Sequence, residues 1–214
     1  MSKVKAQISI SLDGFIAGPD QGEENPLGIG GMDLHEWVFK LASWQEAHGR
    51  DGGEKDNPSD AVIQAAQEGT GAVVMGRNMF GPIRGPWTEP AWNGWWGDEP
   101  PFHTPVFVLT HHEREPLEME GDTTFYFVTE GIESAIAQAK EAAGEKDVSI
   151  GGGAATIQQA IAAGLLDELL LNQVPIVLGD GSRLLENLGQ PLPEFELERV
   201  VAGPEATHLY YRAG

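Results

Sequence analysis

The amino-acid sequence predicts an α/β fold, a mostly parallel sheet covered on both faces and finished by one antiparallel hairpin. Three observations carry that expectation. Short apolar runs of strand length alternate with segments of helical periodicity, and three of those runs pass directly into glycine or polar residues. The last two apolar segments are separated only by a turn at Gly203-Pro204. No repeat, low-complexity tract or charged tail breaks the pattern, so one domain over residues 1–214 is expected.

Val4 to Leu12 reads as a first buried strand that ends in the turn Asp13-Gly14. Residues 18 to 32, rich in Gly, Pro, Asn and Asp, form a loop. Leu34, Trp37, Val38 and Leu41 then follow helical spacing, and Asp33 with Glu36 three positions later has the form of a capping box. A second helix starts with Asn57 as its cap and Pro58 in its first turn, and runs to about Gln67. Ala72 to Met75 is a short buried strand leading into Gly76-Arg77-Asn78. Between Pro82 and Pro105 the repeated prolines and glycines exclude a regular element, while Trp87, Trp92, Trp95 and Trp96 call for a packed loop rather than a linker.

Val106 to Leu109 and Phe125 to Val128 are further strands, and the helix from about Gly131 to Ala143 sets Ile132, Ala135, Ile136 and Ala139 on one face. The stretch "VSIGGGAATIQQAIAAG" supplies a strand, three consecutive glycines and another helix. Leu169 to Val177 is a central strand closed by Gly179-Asp180-Gly181. Phe195, Leu197 and Val201 on odd positions, then Thr207 to Arg212 beyond the turn, make the final hairpin.

The chain carries 13 basic against 33 acidic side chains, a formal charge of −20, so its average field repels nucleic acid and anionic membranes. Neither is an expected partner. No apolar run is long enough to span a bilayer, Met1-Ser2-Lys3-Val4-Lys5 leads into a strand rather than a signal sequence, and cysteine is absent. A cytoplasmic protein is the expectation. An anionic ligand would need local help from backbone N–H groups, a helix end or a placed arginine.

In open α/β sheets ligands bind beyond the carboxyl ends of the strands. Three predicted strand ends offer donors: Gly76-Arg77-Asn78, Thr110-His111-His112 and Gly151-Gly152-Gly153. The glycine run enters a helix, whose unpaired first-turn amides suit a pyrophosphate, although Thr156 stands where the dinucleotide fingerprint has a third glycine or alanine. A tight structural junction is the competing reading. Arg77 could pair bidentately with a phosphate or make a surface ion pair, and Thr110 and His111 suit a phosphate monoester or a solvated loop.

The segments "AVVMGRNMFGPI", "PVFVLTHH" and "VSIGGGAATIQQAIAAGLLDELLLNQVPIVLGDGSRLL" resemble the three cofactor-binding segments of the dihydrofolate reductase superfamily, in the branch formed by the riboflavin-biosynthesis reductase (RibD C-terminal) domain. The resemblance runs from "ISISLDGFIAGPD" to the closing hairpin. It implies a dihydrofolate reductase-like three-layer α/β/α fold with a mostly parallel mixed sheet, NADPH as cofactor, hydride transfer as chemistry and a homodimer. By position it implies that Gly76, Arg77, Asn78 and Met79 meet the cofactor, with Arg77, Thr110 and His111 near the 2′-phosphate. Gly151, Gly152, Gly153, Ala154, Ala155 and Thr156 would hold the pyrophosphate. Two departures stand out: Ala154 and Ala155 where an arginine is frequent, and Phe15 and Gly151 where the riboflavin-pathway enzymes usually carry lysine and glutamate.

Hydride transfer also needs a proton source and a wall for the substrate. Asp13 and Asp33 are the candidate catalytic carboxylates, each with a structural competitor: a turn bond for Asp13, helix capping for Asp33. The position of the acidic residue on the first helix is ambiguous among Asp33, His35 and Glu36. Trp37, Phe39 and Trp87 are candidates to stack on a flat substrate, with core packing as the alternative for Trp37. His103, His111 and His112 lack zinc-site spacing, so no metal is expected. The expected function is an NADPH-dependent reductase of a small heterocycle, nearest to 5-amino-6-(5-phosphoribosylamino)uracil reductase. Dihydrofolate reductase activity and a noncatalytic dinucleotide-binding homo-oligomer are the alternatives.

Overall fold

A computed structural model describes residues 2–88 and 91–214. In chain order its strands are β1 (Val4–Ile10), β2 (Phe15–Ala17), β3 (Thr70–Gly76), β4 (Pro105–Leu109), β5 (Leu117–Glu118), β6 (Thr124–Val128), β7 (Asp147–Gly152), β8 (Glu168–Gln173), β9 (Ser182–Arg183), β10 (Phe195–Ala202) and β11 (Thr207–Ala213). The helices are α1 (Glu36–Phe39), α2 (Ala42–Ala47), α3 (Pro58–Glu68), α4 (Arg77–Phe80), α5 (Ile132–Ala143) and α6 (Ala154–Ala162), with a 3-10 turn at Gly31–Leu34. Nine strands form one sheet in the order β10-β11-β8-β1-β7-β3-β4-β6-β5. The run from β8 through β6 is parallel, and antiparallel pairing is confined to the edges, β10-β11-β8 on one side and β5-β6 on the other. The expected mixed sheet with its terminal hairpin is therefore what the chain forms.

Alternation along the strands divides the core in two, because successive side chains of a strand point to opposite faces. Ala72 and Val74 of β3 and Phe107 of β4 join a cluster with Ile136, Ala139, Ile157 and Ile161 of α5 and α6. Their neighbours Val73, Met75, Val106 and Val108 face the other way, and only the short α4 and irregular chain cover them. Trp87, Trp92, Trp96 and Phe102 from the irregular segment after α4 pack there with Phe80 and Phe125. The tryptophans are thus the roof of half the sheet, which accounts for so many indoles in a loop. Over the rest of that face lie Leu34, Trp37, Leu41 and Ile63 of the 3-10 turn and α1 to α3.

Two expectations need correction. The single helix begun by an Asp33–Glu36 capping box does not form. Gly30, at φ 75°, precedes the 3-10 turn, Asp33 lies inside that turn, and no side chain caps either the turn or α1. The helix then breaks at Leu41 (φ −75°, ψ 145°), because Lys40 to Ala42 are drawn into bridge-like pairing with Glu54 through Glu54 N–H to Lys40 C=O at 2.8 Å and Ala42 N–H to Glu54 C=O. The strand expected over Leu169 to Val177 stops at Gln173; beyond it Leu12 N–H donates to the Ile176 carbonyl, so the chain wraps the first strand's end instead of extending the sheet. α3 follows expectation, with Asn57 Oδ1 accepting from Ser59 N–H at 2.9 Å. Among the described residues no helix is long and apolar enough to cross a membrane.

Candidate functional site

A cleft of about 1550 Å³ opens where β1, β3, β4 and β7 end. Parallel order brings these ends together, since β1, β7, β3 and β4 are successive neighbours in the sheet. Gly76, Arg77, Asn78, Met79, Thr110, His111 and the whole run from Gly151 to Thr156 line this one cleft. Segments far apart in sequence therefore share a single wall.

The glycines there have separate reasons. A Cβ on Gly76 would lie 2.6 Å from Thr156 Oγ1, so only glycine lets β3 end so close to α6. Gly152 adopts φ +141°, with Met79 Sδ 3.3 Å from where a Cβ would be. At Gly153 a Cβ would meet no protein atom within 4 Å, so there the cleft reaches the main chain. α6 follows with no side-chain cap, and its first-turn amides at Ala154 and Ala155 have no intrahelical acceptor. Together these features form a concave patch of N–H donors able to receive an anion.

Arg77 sits at the start of α4, its guanidinium carbon 3.1 Å from the centroid of the Trp87 ring. Its Nε and one Nη are buried without a hydrogen-bond partner. Burial, followed by the charges of Arg114 and Arg84, lowers its pKa to about 10, the mark of a cation held among like charges. Arg114 reinforces the cluster: its guanidinium carbon is 4.8 Å from the Trp87 ring centroid, and it donates to the Trp92 carbonyl at 2.6 Å and to Asn93 Oδ1 at 2.8 Å. Beside it the Thr110 hydroxyl accepts from His112 N–H, and Trp87 Nε1 donates to the His112 carbonyl at 3.0 Å. In a chain of charge −20, positive charge is concentrated where the cleft begins.

The opposite end of the cleft is built differently. Ile8, Ile16 and Ala17 give it an apolar floor, and Met32, His35, Phe39, Trp44, His48 and Arg50 form its wall. The loop before the 3-10 turn doubles back so tightly that a Cβ on Gly18 would overlap the Ile29 carbonyl. That crossing seats Gly31 against β2, 3.8 Å from Ala17 Cα as measured from its own Cβ position. Phe39 packs on Trp44 with centroids 4.9 Å apart, and Trp44 stacks on His48 at 3.9 Å. The sequence alone leaves His35 as one of three possible positions on the first helix and Phe39 as a possible stacking residue, and the structure places both on the cleft wall. Their signal was an i, i+4 pair lying off the stripe of Leu34, Trp37, Val38 and Leu41.

The other candidates for catalysis and substrate stacking fall elsewhere. Asp13 lies outside the cleft and clamps two turns, accepting from Ser11 Oγ at 2.5 Å, Gly179 N–H at 2.7 Å and Leu178 N–H at 3.2 Å. The Ser11 hydroxyl above all, with those amides, holds its carboxyl at about 2 against a smaller opposing effect of burial. A group so acidic is ionised at neutral pH and has no proton to give. Asp33 is exposed and does not reach the cleft. Trp37 is core, with Nε1 donating to the Leu34 carbonyl at 3.0 Å and to Ser9 Oγ at 3.2 Å. Trp87 stands behind Arg77 and does not line the cleft, packed on Phe80 and Phe127.

The chain is matched over residues 2–209 by the family model of the RibD C-terminal domain. No curated protein is significantly similar to it. Among solved structures it is similar to a protein provisionally described as a riboflavin biosynthesis protein from Shewanella sp. PV-4, with 24% identity, 99% of each chain covered and a TM-score of 0.65. A diaminohydroxyphosphoribosylaminopyrimidine deaminase/5-amino-6-(5-phosphoribosylamino)uracil reductase from Thermotoga maritima is matched at 13% identity over all of this chain and 57% of that one, with a TM-score of 0.57. Dihydrofolate reductase from Enterococcus faecalis, complexed with NADP(H) and RAB-propyl, is matched at 15% identity over 99% and 96% of the chains, with a TM-score of 0.51. These structural likenesses establish a dihydrofolate reductase-like fold.

Proposed function

The chain belongs to the RibD C-terminal domain family, and on that premise we propose that it is an NADPH-dependent reductase that transfers a hydride to a small, flat nitrogen heterocycle. One observation supports this above the rest. Arg77 lines the same cleft as a glycine run and an uncapped helix N-terminus, with Nε and one Nη shut off from solvent and the other Nη left to the cleft. The accessible Nη, backed by a guanidinium fixed on Trp87, can give an anion a charge-assisted hydrogen bond worth about 1.5–3 kcal/mol. A dinucleotide with a 2′-phosphate has anionic groups suited to both positions.

In this reading Arg77, steadied on Trp87, receives the 2′-phosphate with Thr110 and His111 beside it. Gly152, Gly153 and the amides of Ala154 and Ala155 receive the pyrophosphate, and Gly76, Asn78 and Met79 border the path between. When bound, the cofactor supplies the hydride. The protein's part is to hold the substrate over Ile8, Ile16 and Ala17, exclude water with the aromatic wall and provide a proton. The riboflavin-pathway compound 5-amino-6-(5-phosphoribosylamino)uracil is the nearest analogue of the substrate, and dihydrofolate the next. The test is loss of reduced-nicotinamide absorbance with a panel of pteridines, pyrimidines and simple carbonyl compounds. A substrate-dependent loss with a nitrogen heterocycle is expected; cofactor binding without turnover of any panel member would instead favour a noncatalytic dinucleotide-binding protein.

A further inference from the structure

Two histidines of this chain are buried in opposite ways. His208 is a satisfied core residue, with Nδ1 2.7 Å from Asn172 Oδ1 and Nε2 2.8 Å from Ser59 Oγ. His35 lines the cleft, yet its Nδ1 has no hydrogen-bond partner and no access to solvent. Nδ1 is thus turned away from the cleft, the Gly31 carbonyl favours the protonated ring, and Nε2 is the nitrogen left to the cleft. Arg77, at the other end of the same cleft, is in the same state.

The surroundings of His35 are mostly apolar. Its ring stacks on Phe39 at 6.5 Å, and the turn that carries it rests on β2. β1 and β2 contribute Ile8, Ile16 and Ala17 to the cleft and no charge. Ile8 Cδ1 is 3.8 Å from the Cβ position of Gly152, so this floor continues to the glycine run. Asp33 and Glu36 on the same segment are exposed; Glu46, His48 and Arg50 line the cleft from α2 and the turn after it, and Arg183 and Glu186 line it near β9. The turn that carries His35 rests on this floor at Ala17, so the imidazole borders the space a ligand on the floor would fill.

Building on the reductase reading, we propose that His35 is a catalytic residue that hydrogen-bonds the edge of the heterocycle and delivers the proton accompanying reduction. As the C=N or C=O carbon of the substrate takes up hydride, a C–H bond forms and the π pair moves to the heteroatom. The imidazolium Nε2–H bond breaks, its proton joins that heteroatom, and the ring is left neutral until Nε2 is reprotonated from the cleft. Atoms and charge balance, with the reduced nicotinamide as the reductant. Burial lowers the His35 pKa, while the Gly31 carbonyl works in the other direction, so the protonated form is scarce at neutral pH and turnover rises as the medium is acidified.

The test uses the full chain and His35→Phe, which keeps a flat ring against Phe39 but carries no proton, with His35→Gln as a second variant. Three quantities are read: NADPH affinity from tryptophan fluorescence; kcat/KM between pH 5 and 9 with 5-amino-6-(5-phosphoribosylamino)uracil as probe; and the imidazole NMR signal of His35 when that probe is added to the cofactor-free protein. We expect NADPH affinity within about twofold of the unmodified chain, kcat/KM reduced by about 10²–10⁴ with the acid-side rise abolished, and a His35 signal that moves with the probe. A signal that stays in place, no turnover of the probe, or a variant with the original pH profile would overturn the role. Failure of the unmodified chain to bind NADPH would overturn the cofactor reading as well, whereas intact binding with an unmoved His35 signal removes this role alone.

Discussion

The two ends of the cleft carry different kinds of information. The end at Arg77 and the glycine run is made of strand termini, where the backbone supplies the donors and each residue lies directly after an apolar run. The end at His35, Phe39 and Trp44 is made of side chains on two short helices and a turn, placed by a loop that crosses itself at Gly18. Backbone chemistry is written in local sequence. Side-chain convergence is not, because it depends on where a helix breaks and which face turns inward.

The largest change should come from breaking the backbone end. Gly152→Val forces a β-branched residue to φ +141° against Met79 Sδ, and is expected to lower affinity for NADPH and NADH alike by 100-fold or more, an order-of-magnitude figure for the loss of two charge-assisted contacts. Fluorescence titration with both cofactors measures it, and unchanged binding would move the pyrophosphate elsewhere. Arg77→Ala should be more selective: about 10- to 100-fold weaker for NADPH, from a charge-assisted bond of about 1.5–3 kcal/mol, with little change for NADH. Equal losses for the two would remove Arg77 from the 2′-phosphate.

At the other end the contrast can be sharpened with a residue that looked catalytic. Asp13→Asn should leave the pH profile of turnover in place and lower the melting temperature at neutral pH, because the carboxylate ties Ser11, Leu178 and Gly179 together. Its lowered pKa means that this contribution is present above about 3.8 and is lost as pH falls towards about 2. Loss of turnover with stability intact would return Asp13 to the chemistry. A smaller effect concerns the support under α1, where His208 meets Trp37 edge-on at 5.2 Å. Its pKa is lowered to about 4 by burial, with Arg199 adding to it, so the unfolded chain binds the extra proton first. Stability should fall as pH drops from about 6.5 towards 4, and denaturant midpoints across that range should flatten in His208→Gln.

The contrast between the ends also explains how far the sequence could be read. Alternating apolar runs disclosed the sheet, its parallel body and the hairpin, and Asn57-Pro58 disclosed α3. The one helix expected from Leu34, Trp37, Val38 and Leu41 is in fact a 3-10 turn and two short helices, because Glu54, more than ten residues away, pairs with Lys40 and Ala42. That long-range contact sets where the helix breaks, and nothing local records it. Asp13 and Asp33 were chosen by residue type, and tertiary hydrogen bonds and exposure decide their roles instead. The tryptophan-rich segment disclosed that it is packed, without disclosing that it roofs β3, β4 and β6.

The most direct measurement is a calorimetric titration of the full chain with NADPH and with NADH under identical conditions. Saturable binding of NADPH at micromolar concentration, at least about tenfold tighter than NADH, is the outcome that a guanidinium reserved for the 2′-phosphate requires. No heat from either nucleotide at millimolar concentration would mean that the cleft was built for something else.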